Sequence, residues 1–123
     1  MIAVAMASVF LAAGTPPGHS RPHRSRWFVA TAYCKDGETQ SGVRTHPGIV
    51  AADPHVLPTG SIVRVDGPGA RSATYVVEDR GVTGRHVDIF MRSCRAAKHF
   101  GRRHVLLRVL KIGDGQRLRS DGR

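Results

Sequence analysis

The chain has 123 residues, 41% of them hydrophobic, enough for one compact domain and too few for two. Nineteen Lys and Arg against nine Asp and Glu give a formal net charge of +10, which favours an anionic partner: nucleic acid, anionic lipid or an acidic wall polymer. Nucleic acid is disfavoured, because aromatics make up only 6% and no basic stripe interleaves with them.

Met1 to Ala13 is almost wholly apolar and too short to span a bilayer, so no stable membrane span is expected. The run ends in Ala12-Ala13-Gly14, which fits the apolar stretch of an export signal over residues 1–14. No Lys or Arg precedes it, and a frayed N-terminal helix is the other reading. No cysteine follows it, so a lipid anchor is not indicated. Residues 15–26 are rich in Pro and Arg and read as a linker. Residues 114–123 read as a polar tail. The folded part is expected over 27–113. An exported protein of the periplasm, outer membrane or cell wall is implied.

Within that core, Trp27 to Cys34 is β-branched and aromatic and reads as a strand. Ile49 to Ala52 is a short apolar run. Ser61 to Val65 alternates apolar and polar residues and stops at Asp66-Gly67-Pro68-Gly69, a turn cluster. Ala73 to Glu78 runs straight into Asp79. Arg85 to Phe90 places Asp88 between Val87 and Ile89. One helix follows, with Ser93 as its cap, Ala96, Ala97 and Phe100 at helical spacing, and Gly101 just past its end. Arg103 to Ile112 is the strongest strand, with Val105, Leu107 and Val109 on one face. Six short strands and one short helix suggest a closed barrel, which leaves no edge strand exposed.

Cys34 and Cys94 are the only cysteines. In an exported chain they permit one disulfide, and closing so long a loop contributes on the order of 4 kcal/mol. Two buried free thiols satisfy the same count.

The acidic residues of the core are Asp36, Glu38, Asp53, Asp66, Glu78, Asp79 and Asp88. Asp53 ends an apolar run and precedes a proline. Asp79 ends an apolar strand and precedes Arg80-Gly81. Asp88 lies inside an apolar strand, opposite in phase to Val87 and Ile89, so it faces either water or a cleft. A cleft would desolvate it, raise its pKa and suit it to act as a general acid. His46, His55, His86, His99 and His104 show no i,i+4 pair and no His-Glu-x-x-His pattern, and the histidines are expected at the surface or barrel rim rather than around a metal.

Three segments, Val50-Ala51-Ala52-Asp53-Pro54, Val77-Glu78-Asp79-Arg80-Gly81 and His86-Val87-Asp88-Ile89-Phe90, resemble the three motifs of the 3D domain, named for its three aspartates. Ala30-Thr31-Ala32-Tyr33, Thr39-Gln40-Ser41-Gly42, Leu57-Pro58-Thr59-Gly60-Ser61 and Phe100-Gly101-Arg102-Arg103 extend the likeness to most of the core. The resemblance implies a mainly β, six-stranded double-psi barrel, similar to the barrel of membrane-bound lytic transglycosylases and, more distantly, to rare lipoprotein A and expansins. It implies Asp88 as the single acid/base, with Asp79 and Asp53 as its partners in the catalytic cluster. It implies a monomer acting on peptidoglycan glycan strands, with neither cofactor nor metal. Tyr33, Thr39 and Ser41 are the expected substrate-binding residues, with ordinary turn and core roles as the alternative. The stretch Asp79-Arg80-Gly81-Val82-Thr83-Gly84 is shorter than the usual one and is similar to the rare lipoprotein A type. A non-catalytic, expansin-like wall-binding barrel and a hydrolase of the same bond are the rival functions.

Overall fold

A computed structural model describes residues 24–67 and 70–115. The expected export signal, all but the last residues of the linker and all but the first residues of the tail lie outside them. The elements run β1 (Arg26–Tyr33), β2 (Ile49–Ala52), β3 (Ile62–Gly67), β4 (Ala70–Asp79), β5 (His86–Phe90), α1 (Cys94–Phe100) and β6 (Arg103–Lys111). The strands close into one barrel in the order β1-β5-β2-β4-β3-β6. The fold is therefore mainly β, a closed six-stranded barrel with one short helix, as the sequence leads one to expect.

Two of the six pairings are parallel, β1 with β5 and β2 with β4, and the others are antiparallel. A parallel pair cannot be joined by a tight turn, so the chain between its strands must cross the barrel end. Those crossings carry the loops that shape the site.

Alternation builds the core. Phe28 and Ala30 of β1, Val50 and Ala52 of β2, Val63 and Val65 of β3, Val77 of β4, Val87 and Ile89 of β5, and Val105 and Leu107 of β6 all point inward and are buried. Val109 packs against this cluster, whereas Leu110 and Ile112 are exposed. β6 thus has one buried face, and its apolar tip is open to water.

The helix begins and ends where its capping chemistry dictates. Ser93 accepts a hydrogen bond from the Ala96 N–H at 3.0 Å. Gly101 ends it at φ 64°, a conformation costly for any residue with a Cβ, and its N–H returns to Ala97 O. Cys94, the first helical residue, is disulfide-bonded to Cys34 just beyond β1. The bridge ties the helix to the barrel next to the loop that follows β1.

The barrel floor closes behind β6, where Gly113 N–H donates to Ser61 Oγ at 2.9 Å. A Cβ on Gly113 would drive into the backbone of Thr59, Gly60 and Ser61, which has no side-chain freedom with which to yield. Gly113→Ala is therefore expected to cost about 3 kcal/mol, the upper range for overpacking. A urea melt of the variant measures it, and an unchanged midpoint would contradict this packing.

Candidate active site

Asp88 points away from the barrel interior, because Val87 and Ile89 on either side of it fill the core. Its strand is flanked by β1 and β2, and the register sets Thr31 beside it on one side and Ala51 on the other. Ala51 in turn pairs with Asp79 of β4. Thr31, Asp88, Ala51 and Asp79 thus form one row across four strands on the outer face of the barrel.

Asp79 joins this row through an irregularity. Simple alternation would put Asp79 on the same face as Val77, that is, inside. The β2–β4 register shifts between Val50 and Ala51, so Val50 pairs with Val77 while Ala51 pairs with Asp79. The extra residue in β4 is Glu78. A bulge of this kind re-aims the residues beyond it, and here it turns Asp79 outward beside Asp88.

Between the carboxylates lies a cleft of about 520 Å³. Ala51 forms its floor, and Tyr33, Asp36, Glu38, Gln40, Arg80 and Val82 stand among its walls. A methyl group between two aspartates leaves space that a larger side chain would fill. One wall is the loop after β1, held by Thr45 Oγ1, which donates to Asp36 Oδ1 at 3.2 Å and accepts from the Gly37 N–H at 3.1 Å.

Burial pushes the Asp88 carboxyl above its ordinary value. The Thr31 hydroxyl, which donates to Asp88 Oδ1 at 2.8 Å, and the nearby His86 pull it down, while Asp79 pushes it up again. Thr31 Oγ1 also meets His86 Nε2 at 2.7 Å. Asp79 Oδ1 accepts from the N–H groups of Gln40 at 3.1 Å and Arg80 at 2.9 Å. Tyr33 packs edge-on against Phe90, with ring centroids 5.5 Å apart. Burial and then the charges of Asp79 and Asp88 push its phenol up to about 12, so it is neutral at ordinary pH. Its buried hydroxyl has no hydrogen-bond partner among the described residues.

The remaining sequence candidates sit elsewhere. Asp53 does not line the cleft. Its Oδ1 accepts from the His55 N–H at 2.9 Å, and its Oδ2 from the Gly84 N–H at 2.8 Å. Gly84 presents that N–H at φ 73°, a backbone shape that favours glycine. The bonds from Gly84 and then His55 hold the carboxyl below its ordinary value. The stability they confer is present above the usual aspartate range and is lost as pH falls through the lowered value. Asp53 therefore clamps the end of β2 to the loop that leads into β5.

Thr39 and Ser41 are buried, at 5% and 3% exposure, and do not face the cleft. Ser41 Oγ donates to Glu78 Oε1 at 3.0 Å, and the two hydroxyls lie 3.0 Å apart. They fasten the turn that presents Gln40 to Asp79. Thr31, Gln40 and His86 were not singled out as site residues by the sequence. Only the strand register shows Thr31 and His86 beside Asp88, and a turn places Gln40.

Asp79 and Asp88, with Ala51 between them, place two carboxylates along one cleft on the outer face of a six-stranded barrel. The family model of the 3D domain matches residues 48–111, and the chain belongs to that family. Two crystal structures of MltA from Escherichia coli are similar in fold, one of them described as revealing a unique lytic transglycosylase fold. They match at 22% identity with TM-scores of 0.54 and 0.53, over 63% and 64% of this chain. This chain covers only 28% of each of those chains. A search of curated proteins finds no match.

Proposed function

We propose that the protein is a lytic transglycosylase that cuts peptidoglycan between N-acetylmuramic acid and N-acetylglucosamine. The observation that carries this reading is Asp88: a half-buried carboxyl with a raised pKa, in an open cleft, anchored by one oxygen. As the acid, Asp88 gives its proton to the glycosidic oxygen while the bond to the muramoyl C1 breaks. As the carboxylate, it then takes the proton of the C6 hydroxyl, whose oxygen closes on C1 to give a 1,6-anhydro end. The substrate supplies the nucleophile, so one carboxyl serves both steps. Asp79 supports the positive charge developing on the sugar ring and keeps Asp88 protonated at the start. Asp53 shapes the loop between them.

The setting agrees with this role. A net charge of +10 suits an anionic wall. The disulfide suits a compartment outside the cytoplasm. Among the described residues no helix is long and apolar enough to cross a membrane.

A second reading rests on the spacing within the row. One full strand separates Asp88 from Asp79, so their backbones stand about 10 Å apart. An inverting hydrolase needs room for a water between its two carboxyl groups, and the small Ala51 between Asp79 and Asp88 leaves such room in the cleft. Digestion of purified sacculi distinguishes the outcomes by mass spectrometry. Anhydro ends support the transglycosylase, and reducing ends make the enzyme a hydrolase. Retention on sacculi with no soluble product would make it a wall-binding barrel.

The cleft floor provides an independent check. Ala51→Leu fills the gap between Asp79 and Asp88 and should lower the digestion rate about 100-fold, the scale of a misplaced substrate. Ala51 is 5% exposed, so the larger side chain also crowds its neighbours, and a thermal melt run beside the digestion separates a weakened fold from a filled cleft. A rate like the parent's would mean that sugar does not bind across Ala51.

A further inference from the structure

A single carboxyl that acts first as acid and then as base has conflicting needs. Burial alone makes Asp88 a ready acid and a reluctant carboxylate. The structure answers this from the side away from Asp79. Thr31 and His86 do not line the cleft, yet both are linked to Asp88.

A hydroxyl carries one proton and donates once. Thr31 uses its proton on Asp88 Oδ1 at 2.8 Å. The 2.7 Å contact with His86 Nε2 is then met by the imidazole donating to Thr31. His86 N–H, Thr31 O–H and Asp88 Oδ1 form a chain of hydrogen bonds all pointing toward the carboxylate. Each link polarises the next and favours negative charge at its end. The chain also occupies Oδ1, which leaves Oδ2 to carry the catalytic proton. Register explains how residues so far apart in sequence meet: His86 pairs with Val29 and Asp88 with Thr31, all on the outer face. The charged and titratable groups around His86 are Asp88 on its own strand, its neighbour Arg85, His104 of β6 across Val29, and Asp53 at the end of β2, whose carboxylate holds Gly84.

We propose that Thr31 and His86 are positioning residues that fix the Asp88 carboxyl through Oδ1 and keep its carboxylate form attainable for the second half of the reaction, an inference that rests on the acid/base role of Asp88. Thr31→Val removes the link while keeping the shape, and Thr31→Ser keeps the link. His86→Leu removes the outer donor, and His86→Gln keeps one.

The test is an NMR titration of the Asp88 carboxyl carbon in the full chain, run beside the pH profile of sacculus digestion. Thr31→Val should raise the Asp88 midpoint by about 1 pH unit, the scale of one hydrogen bond to a charged group. His86→Leu should raise it by less, and Thr31→Ser should match the parent. The alkaline limb of the digestion profile should move upward by the same amounts, because the reaction starts from protonated Asp88. If Thr31→Val does not fold, His86→Leu against His86→Gln gives the same comparison. Equal midpoints in the link-breaking and link-keeping variants would overturn the proposal. The titration needs no activity, so a protein that releases no product refutes the proposed function while the midpoints still decide the role of Thr31 and His86.

Discussion

Asp88→Asn should cut release of anhydro-muropeptides from sacculi by about 1,000-fold, within the range of a lost general acid/base. The amide keeps the shape of the carboxyl and can still accept from Thr31. It has no proton to give to the glycosidic oxygen and cannot take one from the C6 hydroxyl. Asp79→Asn should cost less, because Asp79 acts on Asp88 through charge. Mass spectrometry of the soluble products measures both rates, and parental activity in Asp88→Asn would remove Asp88 from the mechanism.

The pH dependence has a definite sign. The folded-state pKa of Asp88 is raised, so its acid form persists to higher pH than in a free aspartate. Activity should fall as pH rises through that value. The same shift means that Asp88 weakens the fold as pH rises from the ordinary aspartate value through the raised one, because the unfolded chain loses its proton first. Asp88→Asn removes that burden and should be at least as stable as the parent at pH 7. A less stable variant would show that the Asp88 carboxylate holds the barrel together, which the desolvation of its half-buried carboxyl argues against.

The second large effect concerns the disulfide. Cys34 and Cys94 are 60 residues apart in sequence, and closing a loop of that length removes about 4 kcal/mol of unfolded-state entropy. For so small a domain, the loss should lower Tm on the order of 20 °C. The Cys34→Ser/Cys94→Ser variant should melt that much earlier, and reductant should bring the parent to the same point. Catalysis should suffer at temperatures where the barrel is still folded. Lys35, Asp36, Gly37, Glu38 and Gln40 line the cleft directly after Cys34, so the bridge anchors one wall. A variant with the parent's Tm would show that the wall and helix are held by packing alone.

Much of this was legible in the chain. Alternation in Arg103–Lys111 and His86–Phe90 marks strands because a half-buried strand has a period of two. Ser93 and Gly101 mark the helix because its end groups need local partners. β4 begins at Ala70, earlier than the apolar run suggests, because its first residues pair with β3, Ala70 with Gly67. Asp88 was marked by its phase against Val87 and Ile89, which required it to leave the core.

The site itself was decided by pairing between distant strands. Local sequence sets Asp79 in phase with Val77, and only the shifted β2–β4 register turns it outward to Asp88. All three aspartates are expected in one cluster, yet the fold gives two of them to the cleft and makes the third, Asp53, a clamp on Gly84. Thr39 and Ser41, expected either to bind substrate or to serve the turn and core, are buried by the fold, with Ser41 bonded to Glu78. Sequence by itself determined the strands, the helix and the phase of Asp88, because each follows from contacts a few residues long. Tertiary structure decided the Thr31–Asp88–Ala51–Asp79 row, because strand register is set by packing across the whole barrel.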